Sequence, residues 1–159
     1  LKTKVIGISD MMVSKTPNET LITYSLGSCL GVVIYDPVVH VAGLLHSMLP
    51  LSKIDPQKAK KSPFMFVDTG VPLLFREAFK LGAEKQRLIV KAVGCSSLLK
   101  KKGFFKIGER NFTVHRKLLW KNNILIEGQD VDGNGSRTVK IQVKSGNVII
   151  KSGGEKNEL

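Results

Sequence analysis

"LGVVIYDPVVHVAGLLHSML", residues 30–49, holds two apolar runs separated by a tight connection. The first run stops at Asp36-Pro37, a pair that favours turn initiation, and the second stops at Pro50. Only "DPVV" joins them. A parallel return needs a crossover of about a dozen residues or more, so a join this short predicts an antiparallel pair of buried strands.

Working outward, "KVIGI" (4–8) and "LITYSL" (21–26) are β-prone, with the polar turn "SKTPNET" (14–20) between them. "LSKIDPQKAKKSP" (51–63) reads as a long basic loop, a candidate lid or contact loop. "VDTGVPLLFREAFKLG" (67–82) predicts a helix, because Val71, Leu74, Phe75, Ala78 and Phe79 share one helical face. Asp68 or Thr69 is expected to cap it, Pro72 suits its first turn and Gly82 its end. "RLIVKAVG" (87–94) reads as a strand, and a second helix is expected over Glu109 to Lys121, entered through Gly108. Three more strands are expected at 123–128, 137–144 and 147–151, with "KSGN" (144–147) as a hairpin turn and "DVDGNGS" (130–136) as a loop. Strands around two helices, with hairpin-like spacing on both sides, make the class α+β.

The chain has 159 residues, 42% of them hydrophobic, and is expected to form one domain over 1–152, with 153–159 as a flexible C-terminal tail. No run approaches the ~20 apolar residues that span a bilayer, so no membrane insertion is expected. The opening "LKTKVIGISD" lacks a signal-peptide core. Two cysteines, Cys29 and Cys95, make neither a disulfide framework nor a Cys-x-x-Cys metal spacing. A reduced, cytoplasmic setting fits, with no metal and no cofactor. The net charge is +12, from 25 Lys plus Arg against 13 Asp plus Glu, which suits acidic partners. The basic residues are dispersed, as on an ordinary solvated face. Aromatics are only 6% and no RNP or helix-turn-helix pattern is present, which argues against a nucleic-acid module.

Just upstream of the first apolar run stands "TYSLGSC" (23–29). Cys29 has two readings. It is a small core filler after a turn, since cysteine is among the most buried residue types. Or it is a nucleophile at a strand end, which needs thiolate character, exposure at a cleft and a base in reach. Gly27 and Ser28 suit a sharp corner whose freed backbone N–H groups, over 27–29, would meet a substrate oxyanion. The histidines are His40, His46 and His115. Antiparallel pairing returns His46 to the strand end that carries Cys29 and leaves His40 at the opposite end. His115 falls on the second helix, in any role from surface residue to core partner. Thr23 could orient the His46 ring through its hydroxyl. Equally, His46 reads as a hydrogen-bonded core histidine and Thr23 as an ordinary strand residue. Cys95 is a second thiol at a strand end with no histidine nearby in sequence. "DVDGNGS" lacks the glutamate and spacing of a calcium loop, and "GCSSLLKKKG" (94–103) lacks the Gly-Lys-Ser/Thr of a phosphate loop.

"LGSC" preceded by Thr23, an aspartate-proline connection and "HSMLP" (46–50) closely resemble the CheD family of bacterial chemotaxis. "FVDTGVPLLFREAFKLGA" (66–83), "KAVGCSS" (91–97), "IGERN" (107–111) and "DVDGNGSRTVKIQVKSGNVIIK" (130–151) continue the resemblance in order over nearly the whole chain. It implies a chemoreceptor glutamine deamidase, with Cys29, His46 and Thr23 at the positions of the family's catalytic cysteine, histidine and threonine. It implies a three-layer α/β/β sandwich of mostly antiparallel or mixed sheets, similar to cysteine deamidase toxins. It also implies methyl-accepting chemoreceptor helices as substrate and a CheC-type phosphatase as partner. The sequence departs from the family pattern at Phe66, often Tyr, at Leu30, commonly Val, and at Gly94-Cys95, in place of a glycine pair. The expected chemistry is attack of a Cys29 thiolate, paired with imidazolium, on the side-chain amide. Ammonia leaves and water hydrolyses the thioester. A regulatory binding module acting through the phosphatase, and a basic nucleic-acid-binding domain, are the competing readings.

Overall fold

The two apolar runs pair antiparallel, β4 (Leu30–Asp36) against β5 (Val41–Ser47), with Leu30 opposite Ser47 and Asp36 opposite Val41. Every residue of both strands is buried. The computed structural model describes residues 1–97 and 106–159. Around the hairpin stand β1 (Lys2–Val5), β2 (Asp10–Ser14), β3 (Glu19–Leu26), α1 (Pro56–Lys61), α2 (Val67–Lys80) and β6 (Ile89–Gly94). After them come α3 (Ile107–Lys121), β7 (Ile126–Val131), β8 (Arg137–Gln142), β9 (Val148–Ser152) and β10 (Glu155–Glu158). The fold is α+β, with two mixed five-strand sheets and three helices among the described residues.

One sheet runs β2-β5-β4-β6-β7, the other β1-β3-β8-β9-β10. Each is antiparallel except at one edge, where β6 pairs parallel with β7 and β1 with β3. The β6-to-β7 return is a parallel crossover, and α3 lies within that connection. Leu30, Val32 and Ile34 pack with Leu74 of α2 and Leu119 of α3 in one core. The intervening Val33 and Tyr35 pack with Leu21, Val139 and Ile141 of the other sheet in a second core. Both faces of β4 are covered, so its sequence is apolar throughout instead of alternating.

The helix at 67–80 forms because Val67, Val71, Leu74, Phe75 and Ala78 bury one face. It ends where Gly82 takes φ +101, a left-handed value glycine adopts freely. Phe79, expected on that face, is exposed. Neither Asp68 nor Thr69 is the cap, since the N-cap is Phe66 with no side-chain bond. The Asp68 carboxylate instead accepts from the N–H and Oγ of Ser52, each at 2.9 Å, and Thr69 Oγ1 donates to the Pro63 and Phe66 carbonyls. These side chains fasten the preceding basic segment to the helix. That segment, expected as a loop, contains α1, capped by Asp55 and opened by Pro56.

The β4–β5 turn is tied to the entry of β6. The buried Asp36 carboxylate takes Arg87 Nη2 at 2.8 Å and the Glu84 and Val38 N–H groups at 2.9 Å each. Burial pushes its pKa up, but the bonds from Arg87 and the backbone outweigh that and bring it to about 2. Three expectations shift. The strand expected at 123–128 begins at Ile126, β2 was not anticipated, and β10 pairs antiparallel with β9 where a flexible tail was expected. Among the described residues, no helix is long and apolar enough to cross a membrane.

Candidate active site

The site begins with a β-bulge. Thr23 lies opposite Val139 and Leu26 opposite Arg137, so β3 carries one residue more than β8 over this span. Ser25 takes the left-handed φ of 60 that accommodates the extra residue. Strict alternation would send Thr23 and Leu26 to opposite faces. The bulge buries both, and Tyr24 and Ser25 take the exposure.

Thr23 crosses the layer between the sheets. Its hydroxyl donates to the Ile6 carbonyl at 2.8 Å and lies 2.7 Å from His46 Nδ1. A threonine hydroxyl has one proton. Since Ile6 takes it, the Thr23 oxygen accepts from His46 Nδ1–H, and the neutral ring carries its lone pair on Nε2. That Nε2 is buried and has no hydrogen-bond partner among the described residues. The backbone of His46 is held too, because Ser9 N–H donates to its carbonyl at 2.9 Å and β2 pairs Asp10 opposite it. On its other side His46 pairs with Gly31, two residues from Cys29. Burial pulls the His46 pKa down to about 4.

Cys29 sits in the corner between β3 and β4, half-buried, and packs against the intersheet core. All three corner carbonyls are engaged. Gly27 O accepts from Ser96 N–H at 2.8 Å, Ser28 O from Asn111 Nδ2 at 3.0 Å, and Cys29 O from Cys95 N–H at 2.8 Å. The Gly27 N–H donates to Ser25 O at 3.0 Å, which removes it from the donors expected for an oxyanion. Among the described residues, the Ser28 and Cys29 N–H groups donate to no backbone carbonyl. Burial raises the Cys29 thiol pKa, and a bond from its own backbone N–H opposes the rise.

Gly94 and Cys95 form the wall behind the corner, with φ +102 and 54. A Cβ at Gly94 would collide with the Cys29 carbonyl oxygen. Cys95 holds a conformation that glycine reaches without strain. Its thiol is buried, and burial above all pushes it up to about 12. The "DVDGNGS" loop buttresses this wall with its own carbonyls. Arg137 Nη2 reaches Asp132 O at 2.7 Å while its Nη1 reaches Gly94 O at 3.1 Å, and Ser96 Oγ donates to Gly135 O at 2.6 Å. Among the described residues, no three His, Cys, Asp or Glu side chains gather as a metal site would need.

Of the other histidines, His40 lies at the far end of the hairpin, 2.8 Å from Tyr35 Oη. His115 is fully buried on α3, and burial brings its pKa to about 3. Asn111, one turn earlier, belongs to the corner and was not anticipated. The one trace in the sequence is an Asn-to-His spacing of i, i+4 on a helix face otherwise buried through Gly108 and Leu119.

A family model described as "CheD chemotactic sensory transduction" matches residues 48–152, from just after His46 through β9. The chain is 51% identical over 150 residues to a protein of Syntrophus aciditrophicus named "Probable chemoreceptor glutamine deamidase CheD 1", with 94% of each chain covered. It is 43% identical to a "Probable chemoreceptor glutamine deamidase CheD" of Solibacter usitatus, covering 98% of this chain and 92% of that one. It is 38% identical to the protein of that name in Pyrococcus horikoshii, covering 95% and 93%.

Proposed function

Since the chain belongs to the CheD family, we propose that it is a cytoplasmic chemoreceptor glutamine deamidase, with Cys29 as nucleophile, His46 as base and Thr23 as the residue that orients the base. One observation carries this reading. Thr23 donates to Ile6 and accepts from the Nδ1–H of His46, which leaves a lone pair on a buried Nε2, unpartnered among the described residues, in the strand beside Cys29. A free ring nitrogen alone does not mark a base, since the buried His115 has neither nitrogen partnered among the described residues; His46 differs in its fixed tautomer and in its place beside the Cys29 corner.

A carboxamide is a poor electrophile, so the site must sharpen the nucleophile and hold the oxyanion. Burial opposes charge on both the thiol and the imidazole. Burial thus favours a neutral resting pair over a thiolate–imidazolium pair. Nε2 takes the Sγ proton as the Sγ–C bond forms, and the amide oxygen becomes an oxyanion. The Ser28 and Cys29 N–H groups, which donate to no backbone carbonyl among the described residues, are the donors this reading assigns to that charge. Nε2–H then protonates the amide nitrogen, the C–N bond breaks and ammonia leaves a thioester. Water, giving its proton to Nε2, attacks the thioester. The Sγ–C bond breaks, the proton returns to sulfur, and glutamate is released. The chain's own residues supply every group in this sequence.

Helices on one sheet and that sheet on another support the three-layer α/β/β reading and the likeness to cysteine deamidase toxins. The substrate under this reading is a glutamine on a methyl-accepting chemoreceptor helix. An excess of 25 basic over 13 acidic residues favours an acidic helix, and a CheC-type phosphatase would compete for the same protein. The test incubates chemoreceptor cytoplasmic fragments with the protein and reads ammonia and a mass gain of about 1 Da per site, with Cys29→Ala beside it. Conversion that stops in Cys29→Ala is expected. Conversion that persists refutes the nucleophile. Absence of conversion, with a CheC-type phosphatase bound equally by both forms, would make the protein a regulatory module.

A further inference from the structure

We infer that Asn111 is a positioning residue for the deamidation, setting the Cys29 N–H as the oxyanion donor. The inference rests on Cys29 being the nucleophile.

Asn111 is fully buried on α3. Its single Nδ2 donates twice, to Ser28 O and to Met48 O, each at 3.0 Å. Ser28 precedes the nucleophile, and Met48 lies two residues beyond the base, just past the end of β5. One amide group thus spans the two strand ends that must stay in register for Sγ and Nε2 to meet. The Ser28 carbonyl and the Cys29 N–H belong to one planar trans peptide, so they point in opposite directions. Drawing the carbonyl toward α3 turns the Cys29 N–H away from α3. It also keeps that N–H clear of the backbone pairing that occupies the N–H groups of Gly27, Cys95 and Ser96.

The helix is fixed in turn. A Cβ at Gly108 would lie 2.6 Å from the backbone of Cys95 and Ser96, so α3 begins in direct contact with the wall behind the corner. Asn111 leaves Oδ1 buried and unpartnered among the described residues while committing Nδ2 to two loop carbonyls.

The test separates oxyanion-forming from oxyanion-free chemistry at the same sulfur. Iodoacetamide alkylates Cys29 by displacement at a saturated carbon and develops no oxyanion. An activated ester of a glutamyl side chain acylates it through a tetrahedral oxyanion. In folded Asn111→Ala, and in Asn111→Ser, acylation and receptor deamidation are expected to slow about 10²–10³-fold in kcat, the loss typical of one oxyanion donor. KM and the alkylation rate are expected to stay within about threefold of the parent. Unchanged acylation overturns the inference, and so does equal slowing of both reactions. If neither variant folds, the parent protein decides. Its Cys29 amide proton is expected to move downfield when a peptide glutamyl semialdehyde adds to the thiol, and a stationary resonance overturns the inference. Cys29→Ala run alongside keeps the two claims apart, because activity in that variant refutes the nucleophile, whereas its loss with a fully active Asn111→Ala refutes only the positioning role.

Discussion

Replacing Thr23 by valine keeps the side chain's shape and removes its hydroxyl, which makes it a direct probe of how the imidazole is held. Two buried groups lose their partner at once, the Ile6 carbonyl and His46 Nδ1–H. Each orphaned group costs about 1–3 kcal/mol, so Thr23→Val is expected to destabilise by about 2–6 kcal/mol. At about 2–4 °C per kcal/mol for a domain of this size, the midpoint falls by roughly 4–24 °C. The kinetic effect is separate. Without its acceptor the Nδ1 proton has no reason to stay on Nδ1, and a ring protonated at Nε2 cannot take the thiol proton. Loss of a general base costs about 10²–10⁴ in kcat. Thr23→Ser keeps the hydroxyl and loses one methyl, about 1 kcal/mol, and is expected to retain most activity. The assay is initial-rate deamidation of a receptor fragment well below both midpoints, with 15N spectra of His46 reporting which ring nitrogen is protonated. A Thr23→Val enzyme with parental kcat refutes the orienting role. A Thr23→Ser enzyme as slow as Thr23→Val shows that volume, not the hydroxyl, matters.

Acid should unfold the protein early. His46 at about 4 and His115 at about 3 lie below the ordinary 6.5, so the unfolded chain gains protons that the native state refuses as pH falls through 6.5. Stability is expected to be about 4 kcal/mol lower at pH 5 than at pH 7, read from urea midpoints, and equal midpoints contradict the buried neutral rings. Because burial raises the Cys29 thiol, its alkylation rate in the free enzyme should climb through an inflection above the free-thiol value of about 8.5, and a plateau below pH 7 would establish a resting thiolate instead. Gly94→Ala places a methyl against the Cys29 carbonyl at φ +102, so soluble yield and activity should both collapse, and a stable active variant would mean the corner is pliable. Arg87→Met removes the charged partner of the buried Asp36 carboxylate and is expected to lower the urea midpoint, whereas Asp36→Asn in the same background should recover part of the loss.

The sequence makes the β4–β5 hairpin legible because both strands are covered on both faces and their connection permits one pairing. It also brings His46 to the Cys29 end of the hairpin, as the register of Gly31 opposite His46 bears out. The residues alone leave Thr23 open between orienting His46 and being an ordinary strand threonine, and family resemblance decides between them. Its reach to His46 depends on two sheets meeting and on a one-residue bulge, and neither leaves a period in the sequence. α1 was read as loop because it buries nothing, so no apolar spacing marks it. β7 is an edge strand, and exposed Leu125 just before it sits in the turn out of α3, which made the strand look three residues early. Asn111 was invisible for a different reason. Its partners are carbonyls, which every residue has, so no side-chain type announces the contact.

The imidazole is backed by the N-terminal stretch, with Ile6 accepting the proton that orients it and Ser9 anchoring its carbonyl. In chain order that backing precedes Thr23, Cys29 and His46. The bulge at Thr23 is defined against β8, more than a hundred residues later in the chain. A cut between Ile6 and Ser9 would leave Cys29, His46 and Thr23 covalently intact and still divide the segment that carries both of these bonds.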